Sequence, residues 1–149
     1  MITDDVLAQY NGTADMSDEN ANKALDTNAV LYELIAGTES VANMNIVIEN
    51  LNITNGGNSL TGEEYLDLAF DSIEASFKAS GFEDVEAEKS TVNFLGSESA
   101  CISTKLSSQG QEMVQVMIPL SKGVYMGTIT FTGANEDEIT SAINMFQSI

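Results

Sequence analysis

The chain of 149 residues contains no arginine, no histidine and no tryptophan, and it has one cysteine and one proline. Five lysines face 23 aspartates and glutamates, a formal net charge of −18. Each shortage removes a class of function. A nucleic-acid binder needs a cationic patch to neutralise phosphates, and five scattered lysines do not make one. The same charge opposes adsorption to an anionic membrane surface. Without histidine the commonest general base and the commonest metal ligand are both missing. A single cysteine excludes an internal disulfide and a cysteine-rich zinc site. No apolar run is long enough to span a bilayer, and Met1 to Asp5 lacks the basic start and apolar stretch of a signal peptide.

What is present suits a single domain over residues 1–149. A chain of this size buries roughly 68–70% of its unfolded surface, enough for a core without metal or disulfide. The opening segment reads as two short helices, one capped by Thr3 and running to Tyr10, the other capped by Ser17 and running to Leu25. From Ala29 the apolar period changes to two, and Val30, Tyr32 and Leu34 alternate with Leu31 and Ile35, as in a strand covered on both sides. Met44 to Leu51 reads as the next strand, and Asn52 to Ser59 as a polar loop with Asn55-Gly56-Gly57-Asn58 as its turn.

Thr61-Gly62-Glu63-Glu64 is a capping box, opening a helix that runs to about Ser80 and stops at Gly81. Leu66, Ala69, Phe70, Ile73 and Phe77 form its apolar stripe. Four strands follow at about 85–95, 99–106, 113–119 and 124–132, and connections this short force antiparallel neighbours. Pro119 cannot donate to a ladder, so it belongs at a strand end or an open edge. Asn135 caps a last helix whose stripe is Ile139, Ala142, Ile143, Phe146 and Ile149. The element order predicts an α+β fold: an antiparallel sheet of about six strands with helices packed on it.

Several of these segments resemble the PsbP-like fold. They are Met44-Asn45-Ile46-Val47-Ile48-Glu49-Asn50-Leu51 with the Glu63-Glu64-Tyr65-Leu66 helix start, and Tyr125 to Thr132 with the terminal Met145-Phe146-Gln147-Ser148-Ile149. The resemblance covers roughly residues 29–149 and is nearest to the branch of exported bacterial lipoproteins of unknown role. It implies a non-catalytic domain, extracellular or at the cell surface, whose signal or lipid anchor is absent from this chain, acting on a protein or small ligand. Family members usually begin with a strand and a proline-tryptophan turn. This chain starts at the short helices, so the resemblance implies a missing first strand and an open edge that invites pairing with another chain. Two alternatives stand beside this reading: an enzyme using carboxylates or a carboxylate-bound metal, and an intracellular partner-binding protein like the family's Ran-binding member.

No catalytic or cofactor-binding constellation emerges, and metal ligation is left open. The stripe Glu64, Asp67, Asp71 and Glu74 reads as a solvated helix face, and Glu136-Asp137-Glu138 as acids favoured by a helix start. Glu83, Asp84, Glu86 and Glu88 lead into a strand without the spacing of an EF-hand loop, and nothing marks Asp15, Asp18 and Glu19 as ligands. Cys101 has no histidine to activate it and reads as a small apolar strand residue. A Ser–Lys pair of Lys105 with Ser103 or Ser107 is set aside on the expectation that these neighbours point to opposite faces. Met113, Met117 and Met126 read as filling between sheet and helix. Asn11-Gly12-Thr13 and Asn52-Ile53-Thr54 are formal glycosylation acceptors.

Overall fold

The computed structural model describes residues 30–37 and 43–146, the first of these segments by its backbone path alone. The expected helices at 3–10 and 17–25, Ile149, and the acids at 15, 18 and 19 lie outside the described residues. Two strands come first, β1 (Val30–Gly37) and β2 (Asn43–Asn50). Then come a one-turn helix α1 (Leu51–Thr54) and the long helix α2 (Gly62–Ala79). A meander follows: β3 (Glu83–Phe94), β4 (Ser97–Ser108), β5 (Gln111–Lys122) and β6 (Tyr125–Gly133). Helix α3 (Glu136–Asn144) comes last. All pairings are antiparallel in one six-stranded sheet of order β1-β2-β6-β5-β4-β3. The α+β class and the antiparallel sheet are as the element order predicts.

Two details differ from the sequence reading. Leu51 does not end β2; it starts α1, because the side chain of buried Asn50 accepts from the Asn52 amide at 3.0 Å and turns the chain. Strands β4 and β5 are also longer than expected, and β3 starts two residues earlier. Their hairpins close on only two residues, Leu95-Gly96 (φ +53° and +81°) and Gln109-Gly110 (φ +54° and +78°). Positive φ at both central positions matches the right-handed twist of the flanking strands, so the ladder continues to the turn.

The two long helices cover opposite faces of the sheet. Lys89 and Ile102 are register partners, and Lys89 reaches α2, with its ammonium 2.6 Å from Asp67 Oδ1 and 4.9 Å above the Phe70 ring. Ile102, Leu106 and Leu66 are buried on that side. The alternate positions face α3. Cys101, Val114, Val116, Ile118, Ile129 and Phe131 pack there with Ile139 and Ile143. Phe94, Phe131 and Phe146 form an aromatic trio, with Phe146 5.6 Å from each of the others and Phe94 6.4 Å from Phe131. Of the methionines, Met126 is fully buried, and Met113 and Met117 are half-buried on the α2 face.

Two close approaches fix the helices. A Cβ on Gly133 would meet the side chains of Glu138 and Ile139 at 3.2 Å, so a larger residue there would push on the start of α3 where it folds back after β6. A Cβ on Gly62 would meet Pro119 Cγ at 3.1 Å, which places the start of α2 on the proline. The β4–β5 ladder stops at Ile102–Met117, short of Pro119, whereas the β6 side runs on through Pro119–Thr128. The missing N–H therefore falls where the inner ladder has ended.

The capping box forms in full, with Thr61 Oγ1 accepting from the Glu64 amide at 3.2 Å and Glu64 Oε2 from the Thr61 amide at 2.8 Å. Thr61→Ala should cost about 1 kcal/mol of stability in urea unfolding. Phe131→Ala, which empties the centre of the trio, should cost about 3–5 kcal/mol in the same measurement.

Candidate functional site

Helix α3 packs mainly on β6 and β5, and its apolar side shares a cluster with Phe94 of β3 and Cys101 of β4. On its side of the sheet the register sets Glu86 opposite Lys105, Glu88 opposite Ser103 and Ser90 opposite Cys101. These residues form the floor and far wall of a groove whose near wall is the flank of α3. At the start of α3 the groove opens into a cleft of about 560 Å³, bounded by the ends of β3, β4, β5 and β6. Asp84, Glu86, Glu112, Glu136 and Asp137 line it, and among the described residues Lys105 is its one basic residue. A smaller hollow of about 190 Å³ continues along α3, lined by Glu88, Ser90, Val92, Cys101, Val116 and Ile139 among others.

Local structure explains how these acids gather. A register shift between Glu83 and Glu86, with Asp84 at φ +46°, re-aims the start of β3. The single Ser107 hydroxyl hydrogen is shared between the Glu83 carbonyl at 3.1 Å and Asp84 Oδ2 at 3.2 Å, which ties that bulge to β4. At the other wall Asn135 Oδ1 accepts from the Glu138 amide at 3.0 Å, and Glu138 Oε2 accepts from the Ala134 amide at 3.0 Å. Glu138 is thus spent on capping, which leaves Glu136 to face the cleft.

One ion pair crosses the cleft: Lys105 Nζ lies 2.8 Å from Glu136 Oε1. The hydrogen bond and charge of Lys105 hold the Glu136 carboxyl below the usual glutamate range. The Glu136 contact, reinforced by Glu88 and Glu86, raises the Lys105 ammonium. Both groups are fully exposed, so the pair is a weak structural bond. Burial, with a smaller contribution from Glu88, pushes the Cys101 thiol up, which leaves it protonated and unreactive near neutrality.

The other sequence candidates separate from this cleft. The helix stripe has its own uses, with Glu64 in the capping box, Asp67 on Lys89 and Glu74 on Lys78 at 3.2 Å. Asn55 and Asn58 bond each other across Gly56-Gly57. Among the described residues no group of three or more Asp, Glu or Cys side chains converges as a metal ion would require. The cleft acids are strung along a groove instead. The expectation about Ser103 and Lys105 needs correction: they are two positions apart on β4, share a face and line a common hollow. Lys105 is nevertheless directed to Glu136, so its ammonium serves a carboxylate. The approach of the 83–88 acids to the 136–138 acids was not visible in sequence, because it depends on β3 and the start of α3 meeting across β4 and β5.

On the far side of the sheet Tyr65 Oη donates to Glu49 Oε2 at 2.9 Å, tying α2 to the end of β2. Burial, then the Glu49 charge and hydrogen bond, raise the Tyr65 phenol.

Neither a protein-family model nor a curated protein matches the chain. Among solved structures it is similar to a protein of unknown function, PA94 from Pseudomonas aeruginosa, at 11% identity and a TM-score of 0.43, over 78% of this chain and 76% of that one. A likeness at that level carries no inference about fold family or role. Among the described residues no helix is long and apolar enough to cross a membrane.

The Lys105–Glu136 pair has a signed pH signature. Depression of the Glu136 pKa stabilises the fold above the unfolded glutamate pKa and is lost as pH falls through the folded value. Elevation of the Lys105 pKa stabilises below the unfolded lysine pKa and is lost as pH rises through the folded value. NMR titration should show the Glu136 midpoint moving up in Lys105→Gln, and the Lys105 midpoint moving down in Glu136→Gln. Unchanged midpoints would mean the pair is absent in solution.

Proposed function

We propose that the chain is a non-catalytic binding domain that holds a positively charged partner in the cleft beside α3. A single observation carries the reading: Asp84, Glu86, Glu88, Glu112, Glu136 and Asp137 line adjoining hollows of one groove, and among the described residues that line it Lys105 alone is basic. Separated carboxylates over a partly apolar floor suit a ligand with several spaced ammonium or guanidinium groups better than one compact metal ion. Lys105 already occupies one of the positions such a cation would take. The weakness of its exposed pair makes it displaceable.

The wider setting belongs to the same proposal. The PsbP-like resemblance and the acidic composition support an exported bacterial protein of the lipoprotein kind, working outside the cell. The high negative charge would keep it dispersed and would speed encounter with a cationic partner. Recovery of the native coding sequence tests this part. A reading frame beginning at Met1, with no signal and no lipid-attachment cysteine upstream, would overturn it.

The binding reading predicts that a lysine-rich peptide binds the full chain and an aspartate-rich peptide does not. Affinity should fall by about tenfold between 50 and 300 mM salt, because screening acts on exposed charges. Glu86→Lys with Glu88→Lys should weaken binding by about tenfold or more, whereas Asp71→Lys, on the opposite face, should change it little. Equal loss from both sites in calorimetric titration would show a diffuse charge effect and no cleft.

A further inference from the structure

The loop between α1 and α2 carries chemistry that the cleft does not use. Among the described residues Asn55 is the only asparagine followed directly by glycine. Asparagine is a labile side chain, and the residue after it decides how labile. The backbone nitrogen of that next residue can attack the carboxamide carbon and close a five-membered imide. Glycine leaves the approach open, because it has no Cβ and its backbone turns freely. Elsewhere a side chain stands in the way: Ile46 after Asn45, Ile53 after Asn52, Phe94 after Asn93.

The turn itself holds the reaction back. Asn55 Nδ2 donates to the Asn58 carbonyl at 3.2 Å, and Asn58 Nδ2 donates to the Asn55 carbonyl at 3.1 Å. The second bond fixes the peptide plane that Asn55 shares with Gly56. With Asn55 at ψ +24°, the tetrahedral Cα points the Gly56 nitrogen away from the Asn55 side chain. Attack requires that peptide to swing round, which breaks the Asn58 bond to the Asn55 carbonyl. The bond pair is exposed, so it is a modest restraint. Sterics add nothing to it, since even a Cβ on Gly56 would meet no atom within 4 Å.

We propose that Asn55 is a site of spontaneous conversion to aspartate and isoaspartate, and that its bond pair with Asn58 sets the rate. The Gly56 nitrogen gives up its proton and bonds to Asn55 Cγ. The Cγ–Nδ2 bond breaks, and ammonia leaves with that proton. One water then opens the imide. Opening at Cγ restores the ordinary peptide and yields aspartate; opening at the backbone carbonyl leaves the chain running through Cγ, as isoaspartate. Either product adds one negative charge to the −18. Either one also replaces the Asn55 donor with a carboxylate, which cannot bond the Asn58 carbonyl. Conversion therefore removes the restraint that slowed it and loosens the link from β2 to α2. This inference is independent of the cleft reading.

The test ages the full chain in mildly alkaline buffer made with heavy-oxygen water and maps its peptides by mass spectrometry. Conversion appears as one heavy oxygen incorporated at Asn55, in two chromatographic forms. Asn55 should convert before Asn45, Asn52 and Asn93. Asn58→Ala, an exposed change away from the core, should speed conversion at Asn55 about fivefold, the factor for loss of one ordinary hydrogen bond. The wild-type chain unfolded in urea should convert faster still. Equal rates at Asn55 in wild type and Asn58→Ala would overturn the role given to Asn58. No conversion at Asn55 in the folded chain, over a time in which the unfolded chain converts fully, would overturn the site.

Discussion

The seating of α3 on the sheet is the contact on which the groove depends. Ile139 and Ile143 of α3, with Phe146 just beyond its end, bury their side chains on Phe131, Val116, Ile129 and Phe94. Gly133 permits the sharp return from β6, and Asn135 with Glu138 satisfies the amides at the helix start. Those constraints place a nine-residue helix over the middle of a sheet whose strands β3 and β4 run to twelve residues each. The helix is too short and too central to cover the stretches of β3 and β4 that carry Glu86 and Lys105. A trench beside it follows from element lengths and does not require a specialised loop.

The same geometry explains why charged residues occupy strand positions that would otherwise be core. Glu86, Glu88 and Lys105 lie on the face that holds Val92 and Cys101 further along. With no helix above them, apolar side chains there would leave an open sticky surface next to an edge strand. Carboxylates on β3 also discourage edge-to-edge pairing, and that structural use is complete without any ligand. Edge protection, however, does not call for Glu112, Glu136 and Asp137, which come from β5 and α3 and face the same cleft. Convergence from three separate elements is what raises the cleft above a protected edge.

Much of the fold was legible in sequence because it rests on local signals. Thr61-Gly62-Glu63-Glu64, Gly81 and Asn135 mark helix ends by chemistry that acts within four residues. The two-residue spacing of Val114, Val116 and Ile118 marks a strand face, and the short Gly-containing turns mark an antiparallel meander. Leu51 was misread because its conformation is decided by Asn50, a residue that is neutral by pattern and turns the chain by a side-chain bond. The strand ends were drawn too short because polar residues such as Glu83, Ser97, Ser108 and Lys122 extend the ladders as pairs without contributing to periodicity. The cleft was not legible at all. Glu86 and Glu136 are fifty positions apart in sequence, and each has an adequate local explanation as a strand-start or helix-start acid.

The charge of the chain takes on a different meaning once these positions are known. Acids on α2 are matched where lysine is within reach, Asp67 by Lys89 and Glu74 by Lys78. Acids in the cleft are matched once, by Lys105, although the sheet faces around them could have carried more lysines. Exposed like charges repel only modestly in water, and acids that line one cleft add their fields for any cation that enters it. Lys105 relieves part of that repulsion for the price of ordering one side chain. A partner cation entering the same space would gain from the remaining field and would lose little by displacing an exposed ion pair. The gathering of acids from three elements around Lys105, more than the total of −18, is therefore the feature that directs attention to the α3 side of the sheet.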